Sequence, residues 1–114
     1  MDYPSRISLL VSAIMHVEGA FSINSLAHKN KNPGNIRNWG ELPENKGYTV
    51  FPTIQDGYDA ICEDAIKNGH LTIKDFISKW APPSENDTVN YINVVCGVTG
   101  FDPKEMVGGG FLQT

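Results

Sequence analysis

Pro4-Ser5-Arg6-Ile7-Ser8-Leu9-Leu10-Val11-Ser12-Ala13-Ile14-Met15-His16-Val17-Glu18-Gly19 is the stretch on which the reading of the fold turns. Pro4 suits a first helical position, because its missing N–H would find no partner there in any case. Ile7, Leu10, Val11 and Ile14 recur at i, i+3, i+4 and i+7, a single apolar face at about 100° per residue. Glu18 follows Ile14 by four residues and falls on that same face. Gly19 predicts the end of the helix there or within a turn of it.

The helical period disappears from Ser22 to Pro52. Asn32-Pro33-Gly34-Asn35 is a strong turn signal, and Tyr48-Thr49-Val50-Phe51, bounded by Gly47 and Pro52, is the best strand candidate. A small β-hairpin or irregular lobe is expected, and a loop of this length points to function. Thr53 with Asp56 forms a capping-box-like pair for a helix burying Ile54, Tyr58, Ile61, Cys62 and Ala65, stopped by Asn68-Gly69. Thr72 and Asp75 repeat the pattern for a shorter helix with Ile73, Phe76, Ile77 and Trp80 inward, ended by Ala81-Pro82-Pro83. Asn86 or Asp87 caps a further helix carrying Tyr91, Ile92, Val95 and Val98 on one face, closed by Gly100. Asp102-Pro103-Lys104-Glu105 predicts a last short helix. The expected fold class is α+β, mainly α, with a small β-hairpin lobe and a cleft. A single domain over residues 1–107 and a flexible tail over 108–114 are expected.

A chain of 114 residues supports one core. Hydrophobic residues make up 40% and charged residues 19%, with eleven Gly and seven Pro, a globular composition rich in turns. The net charge of -4 and pI near 5.2 argue against nucleic acid or an anionic membrane as partner. Lys29, Lys31 and Arg37 are the one local cluster of cations, either a solvated loop or a contact to an anionic polymer. No run approaches the ~20 apolar residues of a bilayer span. The segment from Ile7 to Val17 lacks the basic start and cleavage site of a signal peptide, so synthesis in the cytoplasm without a leader is expected. Cys62 and Cys96 are expected as free thiols. His16, His28 and His70 do not fall at ligand spacings, so no metal and no cofactor is expected. A monomer is expected.

Glu18 is the residue that carries chemistry. Burial against an apolar stripe and the negative end of a helix dipole both disfavour an ionised carboxylate. A glycosidase needs such an acid, one able to donate a proton to the leaving glycosidic oxygen. The alternative is a surface glutamate at a frayed helix end. Glu41, Glu44 and Glu85 are possible second carboxylates, though none has an identifying spacing. Trp39, in a polar loop, is either a platform for a sugar ring or a core residue.

His16-Val17-Glu18-Gly19-Ala20, then Asn32-Pro33-Gly34-Asn35-Ile36-Arg37, then Tyr48 to Phe51 with Asp56-Gly57, then Ala81-Pro82-Pro83-Ser84-Glu85-Asn86-Asp87-Thr88 and Tyr91 follow one another along the chain. This order resembles a group of lysozyme-like proteins of phages and bacteria related to lytic transglycosylases, over about residues 10 to 103. The resemblance implies a lysozyme-like fold with an active-site cleft and makes Glu18 the catalytic acid. Asn35 and Arg37 would belong to the segment facing it. Tyr91 resembles the tyrosine of the transglycosylase Ala-Tyr-Asn motif, although its neighbours here are Asn90 and Ile92; it is otherwise a core tyrosine. Ser84, Glu85 and Asn86 form the loop before the helix of Tyr91, as substrate contacts or as groups fixing the helix start.

Two classes of function follow. One is cleavage of peptidoglycan glycan strands, as a lytic transglycosylase or muramidase, on the cell wall of the periplasm or from within a phage particle. The other is a non-catalytic peptidoglycan-binding or virion structural protein of the same fold, which fold resemblance does not separate from an enzyme. Action on chitin would use the same acid.

Overall fold

Ile7, Leu10, Val11 and Ile14 are at most 3% exposed, and the helix they define, α1, runs Ser5–Val17. Ser8 N–H donates to the Pro4 carbonyl at 3.0 Å, so Pro4 sits just outside the first turn. The computed structural model describes residues 3–84 and 86–110, and Glu85 and the tail beyond Gly110 lie outside them. After α1 come α2 (Leu26–Lys29), β1 (Glu44–Asn45), β2 (Tyr48–Thr49), α3 (Ile54–Lys67), α4 (Ile73–Trp80) and α5 (Thr88–Thr99). The described residues are mainly α with one antiparallel two-stranded hairpin. It divides into two compact units, Ile14–Ile61 and the described residues of Met1–Ala13 with Cys62–Thr114.

In the unit Ile14–Ile61, β1 and β2 pair with Asn45 opposite Tyr48, leaving Lys46 and Gly47 as a two-residue turn. Both turn residues have positive φ, 53° and 86°, which matches the twist of the flanking strands. The strand expected over Tyr48 to Phe51 pairs only at Tyr48 and Thr49. Val50 and Phe51 instead donate their N–H groups to the carbonyls of Pro43 and Asn30. The helix α2 was not expected. Ser25 caps it, its Oγ accepting from His28 N–H at 3.1 Å, and the element is too short for a helical period to register.

Thr53 and Asp56 do form a cap at α3, with Asp56 N–H donating to Thr53 Oγ1 at 3.1 Å. Ile61, Cys62 and Ala65 are fully buried, whereas Ile54, expected inward, is 45% exposed because it occupies the first helical position, ahead of the buried stripe. A Cβ on Gly57 would lie 2.5 Å from both the Lys31 carbonyl oxygen and Pro33 Cδ. Gly57 is thus a close-approach position where α3 meets the Asn32-Pro33-Gly34-Asn35 turn. Gly57→Ala gains about 1 kcal/mol of helix propensity and loses more to overpacking against backbone. A net destabilisation of about 2 kcal/mol and a melting temperature lower by about 8 °C are expected. Thermal denaturation checks this, and an unchanged or higher melting temperature would refute the contact.

In the other unit, α4 packs on α5 and buries Ile73, Phe76, Ile77, Tyr91, Ile92 and Val95. Thr72 caps α4 and Asp87, not Asn86, caps α5; Gly100 closes α5 with φ 78°. Trp80, expected in the core, is half-buried and meets the Phe76 ring at 5.9 Å. Val98 is 57% exposed, because the last turn of α5 outruns the packed face. The helix expected after Asp102 does not form. Asp102 N–H donates to Glu105 Oε1 and Glu105 N–H to the Asp102 carbonyl, the local signature of a helix start, and the chain then pairs with the start of α4. Ile73 N–H donates to the Glu105 carbonyl and Val107 N–H to the Leu71 carbonyl, both at 2.8 Å. These tertiary bonds take the backbone groups a helix would have used. Gly108, read as the start of the tail, donates to the Gly69 carbonyl at 2.9 Å.

Arg6 clamps this C-terminal segment. Its guanidinium donates to the carbonyls of Met106 and Val107 and to Glu105 Oε2 at 2.9 Å, and stacks 4.4 Å from the Phe101 ring. Glu105 is held below the ordinary carboxylate value of 4.5, first by the Asp102 backbone N–H and then by Arg6. A carboxylate stabilised in the folded state contributes above its unfolded pKa and loses that contribution as pH falls through the lower folded value. The stability difference between wild type and Glu105→Gln should therefore be level at pH well above 4.5 and shrink in acid below it. Urea titrations across pH check this, and parallel curves would refute it.

Candidate functional site

The last turn of α1 determines where Glu18 stands. Gly19 takes φ 77°, its N–H donates to the His16 carbonyl at 3.2 Å, and Ala20 N–H donates to the Met15 carbonyl at 3.0 Å. This pair of bonds is a Schellman closure, which makes Glu18 the C-cap residue. Glu18 N–H still donates to the Ile14 carbonyl at 2.9 Å, so the backbone is helical up to the acid and turns immediately after it. Its side chain is half-buried.

The Asn32-Pro33-Gly34-Asn35 turn reaches that carboxyl. Asn32 is fully buried and anchors the turn three ways: Nδ2 donates to the carbonyls of Ile36 and Thr49, and Oδ1 accepts Ile36 N–H, each at 2.9 Å. Asn35 N–H closes the turn on the Asn32 carbonyl at 3.1 Å. Asn35 itself takes φ 49°, a conformation asparagine tolerates better than most residues. From there its Nδ2 donates to Glu18 Oε1 at 3.2 Å. The other amide atom, Asn35 Oδ1, is buried and has no hydrogen-bond partner among the described residues. An acceptor in that state is costly unless a donor reaches it, and such atoms are expected where a ligand or water completes the site.

Of the residues expected to contact substrate, Asn35 is brought to Glu18. Arg37 and Trp39 continue the same loop but are engaged with the hairpin. The Arg37 guanidinium donates to Tyr48 Oη at 3.1 Å and lies 4.9 Å from the Tyr48 ring centroid. Trp39 is half-buried, and its N–H donates to Thr49 Oγ1 at 3.2 Å. Glu44 accepts Asn38 N–H through Oε2, and Glu41 is exposed. Tyr91, Ser84 and Asn86 belong to the other unit: Tyr91 is 5% exposed, Ser84 and Asn86 are exposed, and Asn86 Nδ2 donates to the Pro82 carbonyl. Glu85 lies outside the described residues.

A hollow of about 530 Å³ lies in the unit of Glu18 and was not expected. Met15, Ala20, Phe21, Pro52 and Ile54 supply its apolar wall, and His28 and Lys31 are on its polar side. His28 Nδ1 lies 3.2 Å from the Ala20 carbonyl, so that nitrogen donates and Nε2 is left for other partners. The sequence carried one hint of it, the cationic Lys29-Lys31 segment, but nothing in the spacing tied that segment to Phe21 or Ile54. Among the described residues no cluster of three or more His, Cys, Asp or Glu could hold a metal ion. Cys62 is buried and Cys96 half-buried, with no disulfide among the described residues, and no helix there is long and apolar enough to cross a membrane.

Comparison with known proteins adds one relative. Protein P5 of Pseudoalteromonas phage PM2 is 36% identical over 86 residues, covering 63% of this chain and 54% of that protein. The chain thus spans about half the length of the relative. No family model matches the chain, and no solved structure does.

Proposed function

We propose that this protein cleaves the glycan strands of peptidoglycan, with Glu18 as general acid and then base, in a cleft of a lysozyme-like fold. The observation that carries the reading is the Asn35 Nδ2–Glu18 Oε1 hydrogen bond, made from a turn that buried Asn32 holds rigid. An acid must be held in one orientation by groups that are themselves fixed, and this one is. The motif order described above supports the same reading, and the similarity to a phage protein is compatible with action from a virion.

In the proposed reaction Glu18 gives its proton to the glycosidic oxygen as the bond from that oxygen to C1 of N-acetylmuramic acid breaks. The oxygen of the muramyl 6-hydroxyl then bonds to C1, and its proton passes to the Glu18 carboxylate, which restores the acid. This transglycosylase route needs one carboxyl group. Hydrolysis would put water in place of the 6-hydroxyl and ordinarily uses a second carboxylate. Glu44, occupied by the Asn38 N–H, is a poor choice for that role.

The test is incubation of purified protein and of Glu18→Gln with isolated peptidoglycan, with the released fragments analysed by mass spectrometry. Fragments ending in 1,6-anhydromuramic acid are expected from wild type and none from the variant. Reducing ends would change the chemistry to hydrolysis. Binding to sacculi with no fragments would replace the enzyme by a docking protein.

A further inference from the structure

We propose that the hollow at the end of α1 is a subsite for the lactyl-peptide substituent of muramic acid, with Lys31 binding a peptide carboxylate and Phe21 and Ile54 covering the peptide's methyl groups. The inference rests on the glycan strand being the substrate. Phe21 is 66% and Ile54 45% exposed, and both line one concave space of about 530 Å³, within the usual range of ligand sites. Large apolar side chains gathered around a hollow are more informative than single exposed ones.

Charge narrows the ligand. The chain carries a net charge of -4, yet the residues lining this hollow include Lys31 and His28 and no carboxylate. The Lys31 ammonium has three donors, and the contact to the Pro52 carbonyl, at 3.4 Å, is long. His28 gives Nδ1–H to Ala20 and leaves Nε2 for a polar group of the peptide. A short peptide of small apolar residues bearing carboxylates matches both the wall and the cation.

The backbone at Lys31 is held in place. Its φ of 53° is left-handed, which lysine adopts at a cost that asparagine or glycine would largely avoid. Gly57 lies so close to the Lys31 carbonyl that a Cβ would fall 2.5 Å from it, and Asn32, the next residue, is anchored by three hydrogen bonds. The backbone from which the Lys31 side chain springs is therefore fixed at the edge of the hollow.

Met15 and Ala20 line the hollow and bracket Glu18, three residues before it and two after, so their Cα atoms lie within about 7 Å of the acid's. The lactyl group hangs from the muramic acid, the sugar whose C1–O bond is proposed to break. A substituent leaving that sugar has only a short distance to travel from the acid to the hollow.

The test uses binding, so that its outcome is independent of turnover. The full chain carrying Glu18→Gln is titrated calorimetrically with N-acetylmuramyl-L-alanyl-D-glutamate and, separately, with chitotriose, which lacks the lactyl-peptide. Lys31→Asn removes the charge while suiting the left-handed backbone, and Phe21→Ser removes the wall. Each is expected to weaken the glycopeptide about tenfold and leave chitotriose unchanged. A glycopeptide that binds no tighter than chitotriose, or whose affinity neither substitution alters, overturns the subsite. Peptidoglycan cleavage with no such discrimination would keep the enzyme and lose the subsite, and discrimination without cleavage would do the reverse.

Discussion

Glu18→Gln is expected to lower the rate of glycan-strand cleavage about a thousandfold, the middle of the range for loss of a positioned general acid. That is about 4 kcal/mol of transition-state stabilisation. Glutamine has the same shape and keeps an oxygen that can accept from Asn35 Nδ2, now 3.2 Å from Glu18 Oε1, but it has no proton to give. The melting temperature should therefore stay within about 1 °C of wild type, since surface-accessible isosteric changes cost little. Single-turnover cleavage of purified strands and thermal denaturation, measured on the same preparations, check both halves. A variant that keeps a tenth or more of the wild-type rate removes Glu18 from the acid's role.

Asn32→Ala is expected to cost about 4 kcal/mol of stability, because two buried backbone groups lose their partners at once. The Ile36 N–H and the Thr49 carbonyl both bond to the Asn32 side chain at 2.9 Å, and Asn32 is 0% exposed. The Ile36 carbonyl keeps a bond from Thr49 N–H and is spared. A loss of that size is a large part of an ordinary domain's total stability, and the melting temperature should fall by roughly 15 °C. Asn32→Asp is the sharper variant. It retains the acceptor for Ile36 N–H but sets a negative oxygen against two carbonyl oxygens, so it should be at least as destabilising as alanine. Urea denaturation of both variants measures this, and losses under about 1 kcal/mol would mean that the turn is not held by Asn32. Cleavage should fall as well, since the same turn carries Asn35.

The difference between Asn32 and Asn35 shows how far the site was legible beforehand. Both asparagines stand in one turn signal, and both were visible as turn formers. Asn35 was identified through a family resemblance as facing the acid, and it does donate to Glu18. Asn32 carries no such mark, because an asparagine at the start of a Pro-Gly turn looks the same whether it is solvated or buried. Its burial depends on Thr49, seventeen residues away. The hollow is illegible in the sequence for the same reason, since Phe21, Lys31 and Ile54 have no common spacing.

Local rules served the helices well and failed where a distant partner competed. The apolar stripe of α1, the caps of α3, α4 and α5 and the glycine closure of α5 depend on residues within one or two turns, and those were read from the chain. The turn at Asp102 has the hydrogen bonds of a helix start, yet no helix follows, because Leu71 and Ile73 pair with its backbone. Ile54 and Val98 sit on correctly assigned helices but outside the packed face, since a stripe's period does not say where packing stops. The mainly α character, the existence and caps of α3, α4 and α5, and the place of Glu18 at the end of α1 follow from the chain alone. Folding alone settles that Asn35 meets its carboxyl, that the chain after Asp102 is not helical and where the apolar hollow opens. The first set rests on interactions between near neighbours in the chain, and the second on partners that only folding brings together.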